Sequence, residues 1–354
     1  MRLDRDLVPL LRWQGLLLLV TLAFGGGNLA DVRVQFAWLA FLLPGWWLAP
    51  TVVGNHATVL TRYVVGMVVG VAAHGILASI ASWFDVSLTH YLFVWGILFL
   101  ASMVVRQRSI GASVDARTPL AHELAIATLM LFCVAVYRTP ISNDIGQFIL
   151  QQQDMLASDS MRASAIGMEA FGVDQPMPRW RAQLWHVLPC VLAKASGVAV
   201  DQVLYRYATI PVAFSTLFSL LHVTRYFSRR RASVSLVMFA LLGPVLLYYR
   251  NFCVFNYSFR VSNNLLLDKD FALFFLVPAV LFCAARWMDG KARYAVLGGL
   301  LVPAILRFHP LTPVYLILGL PALFLLRMPP DRVGVSKAAA IAAFACAPRT
   351  TSCA

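Results

Sequence analysis

Runs of about 20 apolar residues follow one another along most of this chain, and each is long enough to cross a bilayer as an α-helix. Ten are read, at roughly 10–29, 34–54, 63–84, 88–105, 120–137, 208–227, 232–249, 271–287, 294–308 and 311–327. Composition agrees. Sixty percent of the residues are hydrophobic and only 13% are charged, about half the usual share of a soluble domain. The mean hydropathy is +0.74. The sequence therefore predicts an all-α polytopic membrane protein, with about ten transmembrane helices and one large outer loop carrying amphipathic surface helices.

A net charge of +13 over 354 residues could point to nucleic acid, but its distribution points elsewhere. With the N-terminus in the cytoplasm, the inner connections carry seventeen Lys and Arg and the outer ones five, the long loop being left out of the count. That asymmetry is a topology signal, not a nucleic-acid patch. It predicts a bacterial inner (cytoplasmic) membrane protein, multi-pass, with a cytoplasmic N-terminus and the stretch 138–207 outside. The opening MRLDRDLVPLLRW and the apolar run after it read as a signal anchor rather than a cleaved signal.

The long stretch 138–207 concentrates polarity. It holds six of the sixteen acidic residues, Asp144, Asp154, Asp159, Glu169, Asp174 and Asp201. DIGQFILQQQDML sets Ile145, Phe148, Ile149, Gln152 and Leu156 on one helical stripe, with a Gln-rich face opposite. Leu184, Trp185, Leu188 and Leu192 form a second stripe, bent by Pro189 or ending its first turn there. The expectation is two interfacial helices, apolar side down, joined by a Pro/Gly hinge and roofing a cavity. Two further outer segments face them: the connection 250–270, ending in Asp268, Lys269 and Asp270, and the turn RFHPL with Arg307 and His309.

Ahead of the loop, residues 1–118 read as a four-span unit with little polar chemistry, and 106–119 as the boundary to a membrane core over 119–337. In FLLPGWWLAP, Pro44 and Gly45 are expected to kink a span, and Trp46 and Trp47 to sit in an interfacial belt. His56 and His74 read as packing groups. Six cysteines lack metal-like spacing. A Cys190–Cys253 disulfide is one option and two buried thiols the more economical one. The segment 338–354 begins an apolar run that it does not complete, as a truncated or frame-shifted end would.

Over 137–330 the arrangement resembles the GT-C integral-membrane glycosyltransferases, which use polyprenyl-phosphate-linked sugars. The likeness is carried by YRTPISNDIGQF at a span end, the amphipathic helix behind it, WHVLPCVLAKASGV followed by VDQVLYRY, NNLLLDKDFALFF, and the RFHPL turn. The resemblance implies a catalytic base at Asp144, the acid of the first outer loop, and further acids at Asp268 or Asp270. It implies a polyprenyl-linked sugar donor and a glycan, lipid or protein acceptor. The chain departs from the pattern in placing four spans ahead of the loop. It also lacks an Asp-x-Asp there, so no metal ligand is assigned and a divalent ion stays an open alternative.

The chemistry needs these residue types. An acceptor hydroxyl loses its proton as it attacks the anomeric carbon, and a carboxylate within reach takes it. The departing lipid phosphate calls for cations, and Arg260, Lys269, Arg307, His309, Arg179 and Arg181 are on offer. The plainer readings stand beside these. Asp144, Asp268 and Asp270 open helices, where acids serve as caps, and Arg179 and Arg181 suit a headgroup patch. If a site exists, Asp144, one of Asp268 and Asp270, and His309 should line one cavity. Two other functions compete: a polysaccharide polymerase or ligase, in which Arg and His of the loop would matter more than Asp, and a transporter or flippase of lipid-linked sugars.

Overall fold

Asn28 begins the first long helix, its side chain accepting a hydrogen bond from the Ala30 amide at 3.1 Å. Asp31 in the first turn meets the positive end of the helix dipole. The computed structural model describes residues 28–54, 59–108, 143–162, 184–208, 268–309 and 311–327, with isolated positions within 10–22 and 212–226. These residues are helical, and no strand is present among them beyond one bridge between Ser87 and Ser160. Among the described residues three helices are long and apolar enough to cross a membrane: α1 (Leu29–Val53), α2 (Val59–Trp83) and α3 (Leu88–Arg108). The predicted spans 120–137 and 232–249, the connection 109–119 and His56 lie outside the described residues.

α1 and α2 pack more extensively than any other described pair. Glycine makes this crossing close. A Cβ added to Gly45 would lie 1.9 Å from the Gly66 carbonyl oxygen, so backbone meets backbone there. The approach carries Trp46 and Trp47 inward, to 1% and 7% exposure. They are not the interfacial belt that the sequence suggested. The Arg62 guanidinium lies 4.5 Å from the centre of the Trp46 ring and its Nε donates to the Trp46 carbonyl at 3.3 Å. Pro44 and Pro50 both sit inside α1, which continues through them to Gly54.

The long loop supplies α4 (Asn143–Ala157) and α5 (Val187–Ser196), then the short α6 (Val200–Gln202), which runs into a π-helical turn (Val203–Tyr207). Gly197 closes α5 in the left-handed conformation, φ 65°, which a residue without a Cβ adopts freely. Here the structure departs from the expected lid. α5 is enclosed from Val187 to Ala193, all of them buried, because it packs against α1, α3 and α4; only its last turn, at Lys194 and Ala195, reaches the surface. On α4 Gln152 is buried with its stripe and Gln153 is exposed, whereas Gln151, expected on the outer face, is buried as well. Cys190, sealed inside α5, is a free thiol whose Sγ lies 3.7 Å from the Gln152 carbonyl; Cys253 lies outside the described residues.

The C-terminal part runs α7 (Asp268–Phe271), a π-helical turn (Ala272–Leu276), α8 (Val277–Met288), α9 (Ala292–Leu300), α10 (Val302–Phe308) and α11 (Leu311–Arg327). The predicted span 294–308 is thus two helices meeting at Leu301, with Pro303 in the first turn of the second, where its missing N–H is tolerated. α10 and α9 pack on α2, Gly75 admitting Ala304 so closely that a Cβ there would be 2.8 Å away.

Candidate functional site

One end of the bundle gathers the α2–α3 turn, the loop segments 158–162 and 184–186, and the α10–α11 turn. α3 starts there with four amides that its own helix leaves unpaired. Two are met by a remote residue: Leu88 N–H donates to the Asp159 carbonyl at 3.0 Å and Thr89 N–H to Asp159 Oδ1 at 3.1 Å. The other two are met by Ser87, whose Oγ accepts from His90 N–H at 3.2 Å and whose carbonyl accepts from Tyr91 N–H at 2.9 Å. Asp159 therefore caps a helix 70 positions earlier in the chain. Thr89 Oγ1 and Lys194 Nζ also reach its Oδ1, at 2.9 and 2.5 Å. The Lys194 bond, with Thr89 and Ser87, holds the carboxyl well below its ordinary 3.8, at about 2. Arg162 adds a bond to the Ser82 carbonyl and a 3.7 Å approach to Asp85.

A second junction lies beside the first. Leu184 N–H donates to the Arg307 carbonyl at 2.8 Å. Trp185, buried, stacks on Phe271 with ring centres 4.3 Å apart and meets Phe308 at 5.4 Å. Phe308 in turn contacts His74 at 5.8 Å, and His74 Nδ1 lies 2.6 Å from the Tyr91 hydroxyl. A run of rings thus links the loop to the bundle interior, and His74 is the packing group that the sequence suggested.

Next to Trp185 stands His186, buried, its ring 4.7 Å from that of Phe148 on α4. Gln152 Nε2 lies 3.4 Å from its Nδ1, and the other ring nitrogen is Nε2. That Nε2 has no hydrogen-bond partner among the described residues. Burial lowers the imidazole pKa from 6.5 to about 4, so the ring is neutral at pH 7 and can donate to a ligand oxygen without adding charge.

The predicted residues fall around this junction unevenly. Arg307 and His309 are partly buried, on the turn that receives Leu184, and the His309 carbonyl accepts from Thr312 N–H at 3.0 Å. Lys269 is partly buried on α7, two residues before Phe271. Asp268 and Asp270 flank it on the same backbone turn, and Asp144 occupies the first turn of α4, four residues before Phe148. The side chains of these three acids lie outside the described residues, as do Arg179, Arg181 and Arg260 altogether. Phe148 meets His186 while Trp185 meets Phe271 and Phe308, so the three described segments that carry predicted acids and cations, α4, α7 and the end of α10, each contact the 185–186 turn.

Sequence reasoning passed over His186, Asp159 and the buried Asp31 and Gln35 of α1. Asp31 fell in the short connection between the predicted spans 10–29 and 34–54, where an acid carries no particular signal. His186 carried none either, since a histidine in a polar loop is unremarkable until the loop is seen to be buried. Among the described residues no group of three or more His, Cys, Asp or Glu gathers where it could hold a metal ion. Compared with family models, with curated proteins and with solved structures, the chain matches none.

Proposed function

We propose that the chain is a ten-span glycosyltransferase of GT-C type, with a cytoplasmic N-terminus in a bacterial inner membrane. On this reading it moves a sugar from a polyprenyl-phosphate-linked donor to a glycan, lipid or protein acceptor at the outer face. One observation carries the reading: the Leu184–Arg307 bond and the Trp185–Phe271 and Trp185–Phe308 ring contacts bring the loop return beside the 268–271 and 307–309 turns. Asp144 takes the acceptor proton, and Asp268 or Asp270 assists. Lys269, Arg307 and His309, with Arg179, Arg181 and Arg260, meet the departing phosphate. Asp144→Asn tests it, because Asn still caps a helix but accepts no proton. Sugar transfer in membranes should fall about 10²–10⁴-fold with the melting temperature unchanged. Full transfer by that variant removes Asp144 from the reaction.

The Nε2 of His186, which has no hydrogen-bond partner among the described residues, favours a second reading, a polymerase or ligase that works through loop His and Arg. His186→Gln separates the two. The transferase reading expects it to lower transfer less than Asp144→Asn does, and the ligase reading expects the reverse.

A further inference from the structure

The opposite end of the bundle carries a groove of about 450 Å³ between α1, α2 and α9, within the roughly 300–1,000 Å³ range of small-ligand sites. Its walls are Leu48, Val69, Ala73, Val296 and Leu300, and the small alanines of α2 leave the space that larger side chains would fill. Val296 and Leu300 are 65% and 46% exposed, so the groove opens sideways, toward where lipid lies around a membrane helix. Thr51 brings the one hydroxyl, and its Oγ1 is turned back onto the Leu48 carbonyl at 2.6 Å. From Arg293 to Leu300 the groove follows α9 for about 10 Å along the helix axis. That is the direction an acyl chain takes in a bilayer.

The mouth is cationic. Arg293 Nη1 donates to the Thr51 carbonyl at 2.9 Å, which fixes the guanidinium at the rim. A second opening of about 370 Å³, lined by Gly54, Gly290, Lys291 and again Arg293, continues directly from it. The nearby acid is engaged elsewhere: Asp289 accepts from the Tyr226 hydroxyl and pairs with Arg286 at 3.9 Å. Arg286 itself lies over the Tyr226 and Tyr294 rings. Lys291 and Arg293, both exposed, have no acidic partner among the described residues.

We propose that this groove binds an anionic glycerophospholipid, one acyl chain lying along α9 and the phosphate meeting Lys291 and Arg293. An acidic peptide would meet the same cations but has no use for an apolar slot running along the bilayer normal. Under the positive-inside orientation the lipid belongs to the cytoplasmic leaflet, across the membrane from the sugar-transfer site. The proposal does not depend on the transferase reading. It needs only that the long helices lie in a bilayer.

The test uses the purified full chain in a neutral detergent, with dioleoyl-phosphatidylglycerol and dioleoyl-phosphatidylcholine added in turn and the bound lipid counted by native mass spectrometry. Two cations at the headgroup predict roughly tenfold tighter retention of phosphatidylglycerol. Lys291→Gln/Arg293→Gln should remove that preference while its melting temperature in phosphatidylcholine stays within a few degrees of the parent. If the double variant fails to fold, Lys291→Glu alone, a change at an exposed side chain that cancels the Arg293 charge, must remove the preference. Ala73→Phe, which fills the slot, should lower retention of both lipids. Equal retention of the two lipids by the parent overturns the proposal, and so does a preference that survives loss of the charges. Full competition by millimolar inorganic phosphate would show a headgroup-only anion site and overturns it as well.

Discussion

The α1–α2 crossing and the junction between the loop and α3 hold this molecule together by different means. At the crossing, Gly45 and Gly66 bring two backbones into contact with no space for a methyl group. At the junction, Asp159, Lys194, Arg162 and Ser87 meet through charge and hydrogen bonds on side chains that water still reaches. A contact held by shape should fail at a single added carbon and ignore pH. One held by polar groups should tolerate shape changes and answer to protonation.

The largest expected effect comes from breaking the first. Gly45→Ala sets a Cβ against a carbonyl that cannot rotate away, and overpacking of this kind costs about 1–3 kcal/mol or more. The melting temperature in detergent should fall accordingly, with the dependence on pH unaltered. An unchanged melting temperature would show that the helices can separate there without loss.

The junction should respond to Asp159→Ala by about 0.5–2 kcal/mol, the usual cost of a lost helix cap. Its pH behaviour is more telling. The Asp159 carboxyl titrates lower in the folded chain, about 2 against 3.8, so its contribution is complete above pH 4 and is lost as the pH falls toward 2. Asp159→Asn keeps an acceptor for Thr89 N–H but has no proton to gain. Melting measured from pH 5 down to pH 2 should therefore be flatter in the Asn variant than in the parent, and parallel curves would mean that the Lys194 pair contributes nothing. The smallest effect belongs to Thr89→Val, which keeps the shape and removes only the exposed Oγ1 bond to Asp159. A loss of about 0.5 kcal/mol is expected, read in the same melts.

The apolar runs made α1, α2 and α3 legible to within about five residues at each end, because in a span the length and the hydropathy are the structure. The same signal misread the packing. Trp46 and Trp47 suited an interface by type, yet Gly45 beside them decides that they go inside. Leu184 and Trp185 just before α5, and Leu188 and Leu192 on it, did mark a buried face. The stripe could not show that protein, rather than lipid, would cover it, nor that Val187 to Ala193 would be covered all round. Arg307, His309 and Lys269 were chosen for charge at the ends of spans, and the aromatic residues beside them carry the convergence. Asp159 stayed hidden for a plain reason: capping across 70 residues leaves no local pattern.

The bond from Leu184 to Arg307 and the ring contact from Trp185 to Phe308 also set a schedule. Trp185 leaves the ribosome roughly 120 residues ahead of Phe308, a delay of roughly 6–25 seconds at ordinary translation speed. Through that interval the loop is made while the turn that seats it is still missing. α4 and α5 can meet early through Gln152 and His186, but Trp185 has to wait for α7 and α10. α7 and α10 therefore act as a latch on a segment synthesised long before them, and a nascent chain arrested before residue 300 should leave Trp185 open to quenchers that the finished protein excludes.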